Sequence, residues 1–271
     1  MSLSVQTNIN AMDAHRNLLA TSDKISQSMS RLSSGFRINK AADDAAGLAI
    51  SEKLSSQVGG LDQAQRNAQD AVSLVQTAEG SMSEVQSMLQ RVRDLAVQYN
   101  NGTLSTSDKA AITNEVAQLC DEISRISSQT KFNGISLLTG AGAISFQIGA
   151  NDGETISVSA RDMFGANATF DVNSALFTFG TTVTLASIDT AINNISTARS
   201  TFGAVQNRLE HTLSNLANYS ENLSASESQI KDVDMASEMV NFTKLQILQS
   251  AGTSMLAQAN SAPQSVLKLL G

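Results

Sequence analysis

From Ala68 to Tyr99 the apolar residues fall at Ala68, Ala71, Val75, Ala78, Met82, Val85, Leu89, Val92, Ala96 and Tyr99, stepping by three and four without a miss. That spacing keeps every one of them on a single helical face, as in a coiled-coil seam. Nothing upstream interrupts it, because the chain's single proline is Pro263 and proline is the strongest breaker of a helix interior. The pattern predicts one helix from about Asp44 to Tyr99, ~84 Å long at 1.5 Å per residue. The core of a compact domain does not extend that far, so a rod with other helices running beside it is expected.

The flanking patterns supply those helices. Leu18, Ile25, Met29 and Leu32 share one face of a first helix, about Ala11 to Leu32. "NNGTLSTSD" (Asn100 to Asp108) reads as a turn and a helix entry, and Ile112, Val116, Leu119, Ile123 and Ile126 carry a helix over 108–130. "KFNG", ending at Gly134, is an Asn-Gly turn signal. Character then changes over 136–186. Ile144, Phe146 and Ile148 alternate before a turn, Ile156 and Val158 after it, which is a β-hairpin pattern. "FDVNSALFTFGTTVTL" is rich enough in β-branched and aromatic residues to add strands. A helical stripe resumes over 188–230, from Ile188 to Leu216, and a last helix spans about Val233 to Asn260, with Pro263 expected to end or bend it. The fold class is mainly α, a coiled-coil-like rod with a small β-hairpin region, and the expected divisions are 1–44, 45–231 and 232–271.

Both ends are apolar, down to "VLKLL" at Val266 to Leu270. Ordering a backbone residue costs roughly 1–2 kcal/mol, which isolated terminal helices of this kind do not recover. They need each other or neighbouring copies of the chain, and are expected to order on assembly.

Composition narrows the chemistry. Lys and Arg number 18 against 25 Asp and Glu, a formal charge of −7, which opposes nucleic-acid binding through a basic footprint. No run of 18 apolar residues appears, so no membrane insertion is expected. The start, "MSLSVQTNIN", lacks a basic n-region and an apolar h-region, so a Sec-type leader is not expected. Trp is absent and aromatics make up 4%, which argues against a deep ligand pocket. His15 and His211 lie in different helices with no spaced ligand partner, so neither metal nor cofactor is expected. No G-x-S-x-G or H-E-x-x-H motif occurs, and no catalytic residue is assigned. Cys120, in "EVAQLCDEI", reads as a small buried hydrophobe, since Asp121 and Glu122 disfavour a thiolate.

One short stretch stands apart. "SSGFRINKAADDAAG" (Ser33 to Gly47) sets Arg37, Lys40, Asp43 and Asp44 between two glycines. It lacks the G-x-x-x-x-G-K-[ST] arrangement of a phosphate loop and reads as a helix–loop–helix joint. Gly35 suits a helix stop. Asn39 is the expected cap of the next helix, with Asp43 and Asp44 facing its positive end. That leaves Arg37 and Lys40 free to reach another chain. In "QRVRDLAVQ" (Gln90 to Gln98), Val92 and Ala96 lie on the stripe, while Arg91, Asp94 and Leu95 fall elsewhere around the helix. An apolar Leu95 off the stripe suggests a contact surface.

In order along the chain, these stretches resemble bacterial flagellin. "RLSSGFRINKAADDAAGLAISEKL", "DAVSLVQTAEGSMSEVQSMLQRVRDLAVQ", "QTKFNGISLL", "FQIGAN", "FGAVQNRLEHTLSNLANYSENLSASESQIKDVDMASEM" and "MLAQANSAPQSVLKLL" are typical of the family and cover nearly the whole sequence. The resemblance implies terminal helices that form a separate inner coiled coil, surrounded by a rod of three long helices and a β-hairpin. The short interval between Leu138 and Ile188 implies a minimal member without outer domains. It implies further that copies polymerise into a secreted, extracellular filament for motility. The partners implied are the flagellar export apparatus and an export chaperone, the hook–filament junction and filament cap proteins, and Toll-like receptor 5 of a host. Expected subunit contacts are Arg31, Arg37, Asn39, Lys40, Asp43 and Asp44. Receptor recognition is expected at Arg91, Leu95 and Glu115, with Asp94 standing where Glu is commoner. The nearest rival reading is a hook–filament junction protein, which shares flagellin-like ends.

Overall fold

The computed structural model describes residues 7–139, 142–160 and 184–270. In chain order the elements are α1 (Ile9–Ser34), α2 (Ala45–Tyr99), α3 (Thr106–Gln129), β1 (Lys131–Phe132), β2 (Ile135–Ser136), β3 (Gly142–Gln147), β4 (Thr155–Ala160), α4 (Leu185–Lys231) and α5 (Met235–Leu270). The fold is mainly α. The strands expected over 170–185 lie outside the described residues, apart from Thr184, which precedes α4, and Leu185, which opens it.

The chain divides into two compact units, one of Met1–Ser56 with Asn222–Gly271, the other Gln57–Glu221. The second holds the main core. Ala71, Val75, Met82, Val85, Leu89 and Val92 of α2 meet Val116, Cys120 and Ile123 of α3 and Ile188, Ile195 and Leu209 of α4, all buried. Polar groups pin the helices at their margins. Arg93 Nε donates to Asp189 Oδ1 at 2.6 Å, and Arg199 Nη1 donates to Gln86 Oε1 at 2.6 Å. Ser105 and Asp108 form a reciprocal capping box at the start of α3.

The two-residue turn between β1 and β2 places Asn133 at φ 48° and Gly134 at φ 82°. Both central residues are left-handed, as a type I′ hairpin turn requires. In the second hairpin, Ile144 pairs with Val158 and Phe146 with Ile156, so the expected alternation is also the register. Val158 and Ile156 are buried in the helical core. The tip sits against α2: a Cβ added at Gly60 would meet Ala150 Cβ at 3.0 Å, and Asn67 Nδ2 donates to the Gln147 carbonyl at 3.0 Å.

Two expectations need correction. Leu95 is not off the buried face; it is 1% exposed and belongs to the core. A helix flanked by several partners buries a wider stripe than a two-stranded seam, and Leu74 is buried beside Val75 for the same reason. Nor does the last helix end at Pro263, since α5 continues to Leu270.

Candidate functional site

The first unit is built from two paired joints. Gly35, at φ 77°, ends α1 and donates its N–H to the Arg31 carbonyl. The chain leaving it runs antiparallel to the segment between α4 and α5. Arg37 N donates to the Lys231 carbonyl at 2.7 Å, and Val233 N donates to the Gly35 carbonyl at 3.0 Å. Phe36 and Asp232 form the bridge between these segments, and the Lys231 ammonium lies 4.9 Å from the centre of the Phe36 ring. The second joint, "KDVDMAS" (Lys231 to Ser237), falls at the expected 231/232 division, but nothing in the sequence spacing marks its pairing with the first.

The charged residues of the first joint are mostly spent locally. Asp44, not Asn39, caps α2: its Oδ1 accepts from Gly47 N at 2.9 Å. Asp43 Oδ2 accepts from Asn39 N at 3.1 Å and Lys40 N at 3.0 Å, and its Oδ1 accepts from Gln27 Nε2 at 3.0 Å. The Asn39 N–H first, then Gln27 and Lys40, hold the Asp43 carboxyl below its usual pKa. Asn39 was displaced from the cap because the turn at Lys40 to Asp43 separates it from α2. Its Nδ2 donates to Ser34 Oγ at 2.8 Å instead. Arg37 is not free either: Nη2 donates to the Ile230 carbonyl at 2.6 Å, near the negative end of α4. Lys40 makes no side-chain hydrogen bond or ion pair among the described residues, and Arg31 Nε is buried without a partner.

Nothing in the sequence marks Ile38, or shows why a glycine closes this stretch at Gly47. Ile38 is buried, and a Cβ at Gly47 would fall 2.8 Å from Ile38 Cδ1 and 2.4 Å from Asp44 Oδ2. A side chain at Gly47 would have to displace the capping carboxylate, that apolar plug, or both.

α1 packs along α5, yet among the described side chains the pair has almost no core. Ser28 is the one buried residue described in α1, and its Oγ donates to Glu238 Oε1 at 2.5 Å. Outside the contact, Met12 is 65% exposed, Val240 69% and Ile247 64%. Met239, Val240, Thr243, Lys244, Ile247 and Leu248 line a shallow apolar groove on α5.

Arg91 and Glu115 meet: Nη2 lies 2.7 Å and Nε 2.9 Å from Oε1, across α2 and α3. Leu95 is buried and does not join them at the surface. Among the described residues no group of His, Cys, Asp or Glu is placed to hold a metal, and no helix is long and apolar enough to cross a membrane.

Two family models match this chain, the bacterial flagellin N-terminal helical region over residues 5–143 and the C-terminal helical region over 185–270. The chain belongs to the bacterial flagellin family. A flagellin of Halalkalibacterium halodurans is 48% identical over 269 residues, covering 98% of this chain and 99% of that one. The flagellar filament 33 kDa core protein of Treponema phagedenis is 44% identical over 290 residues, with 98% and 99% covered. A solved structure ascribed to a flagellar hook-associated protein of Vibrio parahaemolyticus matches with a TM-score of 0.59, over 70% of this chain and 100% of that one. At 15% identity that likeness concerns the fold alone. This flagellin is a structural subunit of the flagellar filament, a polymer of copies of itself.

Proposed function

We propose that the terminal helices of this flagellin, 1–44 and 232–271, make the inner contacts of the filament, and that residues 45–231 surround them. The observation that carries this is the coreless α1–α5 pair. With Met12, Val240 and Ile247 each more than 60% exposed, the pair leaves in water the surface that a folded helix pair must bury. The groove on α5 is the docking face for a neighbouring copy. Arg31, Arg37, Asn39, Lys40, Asp43 and Asp44, at the end of α1 and in the joint that follows it, are further subunit contacts, with Lys40 making no side-chain hydrogen bond or ion pair among the described residues.

The likeness to the flagellin family supports the remaining partners as part of this reading. The subunit passes through the flagellar export apparatus with an export chaperone, and it assembles between the hook–filament junction and cap proteins outside the cell. The paired Arg91 and Glu115 present a charged surface for Toll-like receptor 5, which Leu95 supports from beneath as a core residue.

The test is a double substitution at exposed positions, Val240→Lys with Ile247→Lys. Both side chains already face water, so the free chain should keep its helicity while sedimentable filaments disappear. Normal filaments from the doubly charged chain, seen by electron microscopy, would refute the α5 interface.

A further inference from the structure

The carboxamide of Asn8 has both ends engaged. Its Oδ1 accepts the Ala11 N–H at 3.0 Å and caps α1. With that oxygen committed, the amide nitrogen is the group left to point across to α5. Nδ2 donates to the Ala259 carbonyl at 2.7 Å. In a regular helix the carbonyl of residue 259 receives the N–H of residue 263. Residue 263 is proline, which has no N–H to give. α5 nevertheless continues to Leu270, and the one carbonyl that Pro263 leaves without its helical donor is the carbonyl Asn8 reaches.

We propose that Asn8 substitutes for the N–H missing at Pro263, so that the last turns of α5 are helical on condition that the start of α1 is docked. The two ends of the chain then order as one unit. The register of the pair serves this. Ser28 meets Glu238 at one end, and a Cβ at Gly252 would touch Leu18 Cδ1 at 3.3 Å midway. That antiparallel alignment brings Asn8 to Ala259. A slip of one turn would set Asn8 against a carbonyl already paired in the helix and leave Ala259 unpaired, which penalises the wrong register.

Five full-length chains test this: the natural one, Asn8→Ser, Pro263→Ala, Asn8→Ser with Pro263→Ala, and Asn8→Asp. Serine keeps the cap but is too short to reach α5. Hydrogen exchange of residues 264–270 is read in the free chain and in the assembled protein. In the proline background Asn8→Ser should speed exchange roughly 3- to 10-fold, the range of one net hydrogen bond. With Pro263→Ala present the same change should have less than about a 2-fold effect, because the backbone supplies the donor. Asn8→Asp, which keeps the size and the cap but cannot donate, should behave as Asn8→Ser does. Equal effects in both backgrounds, no effect in either, or no protection of 264–270 in the natural chain in either state would overturn the proposal. Both ends are expected to exchange rapidly in the free chain, so the assembled protein decides: if Asn8→Ser fails to polymerise, rescue by Pro263→Ala supports the pairing and failure of the combined variant overturns it, whereas Val240→Lys with Ile247→Lys bears on the filament contacts alone.

Discussion

Arg37 places its guanidinium on the carbonyl of Ile230 at 2.6 Å, so a residue between the first two helices holds the last turn of the fourth. Its own backbone N–H takes the next carbonyl, that of Lys231. Arg37→Ala removes the side-chain bond and keeps the backbone one. The expected cost is about 1 kcal/mol, discounted from the value of a charged hydrogen bond because the side chain is exposed. The loss should concentrate at Asp232 to Asp234. Limited proteolysis of the variant should cut there faster than in the natural chain while overall helicity is unchanged; an unaltered cutting pattern would show that the bond holds nothing.

Asp43 gives the same joint a pH dependence. Its pKa in the folded chain lies below the ordinary 3.8, chiefly because the Asn39 N–H binds the ionised carboxylate. A depressed carboxyl pKa adds stability above the unfolded value, and that stability is lost as pH falls through the folded one. Assembled protein should therefore dissociate more steeply on acidification below about pH 4 than protein carrying Asp43→Asn, as followed by light scattering. Identical acid profiles would remove Asp43 from the account.

Cys120 is buried in the second unit, and burial pushes its thiol up to about 12. A thiol reagent at pH 8 should label the folded chain at least ~10³-fold more slowly than the chain in urea, since thiolate is scarce and access is closed. Fast labelling in native buffer would mean that the α2–α3–α4 core opens readily around it.

Leu95 and Arg91 should separate cleanly. Leu95→Ala opens a cavity in the core and is expected to cost about 2–5 kcal/mol, read as a lower urea midpoint. Arg91→Ala breaks an exposed pair with Glu115 and should cost less than about 1 kcal/mol. If Leu95→Ala left the midpoint unchanged, its burial would be wrong.

The helices were legible because their evidence repeats. Ten apolar residues from Ala68 to Tyr99 state one period many times, and α2 begins at Ala45, within a residue of expectation. The hairpins were legible for a similar reason: Asn133-Gly134 names its turn, and Ile144 to Val158 alternates with period two. What escaped was set by residues distant in sequence. Leu95 looked off-stripe because the period describes one partner, whereas α2 packs in a core shared with α3 and α4. Pro263 looked like an end or a bend because the group proposed to stand in for its N–H, Asn8 Nδ2, lies 251 positions from the Ala259 carbonyl it reaches. Arg37 looked unspent because its acceptor lies on α4, and Asn39 looked like a cap because the turn formed by Asp43 is not visible in spacing alone.

The central claim is that the terminal helices lack a core of their own and acquire one from neighbouring copies. Hydrogen exchange across α1 and α5, compared between dilute free chain and assembled filament, tests it most directly. Rapid exchange in both helices when free, with protection rising steeply on assembly while α3 changes little, is the predicted result. Strong protection of α1 and α5 in the free chain, or no gain on assembly, would contradict it.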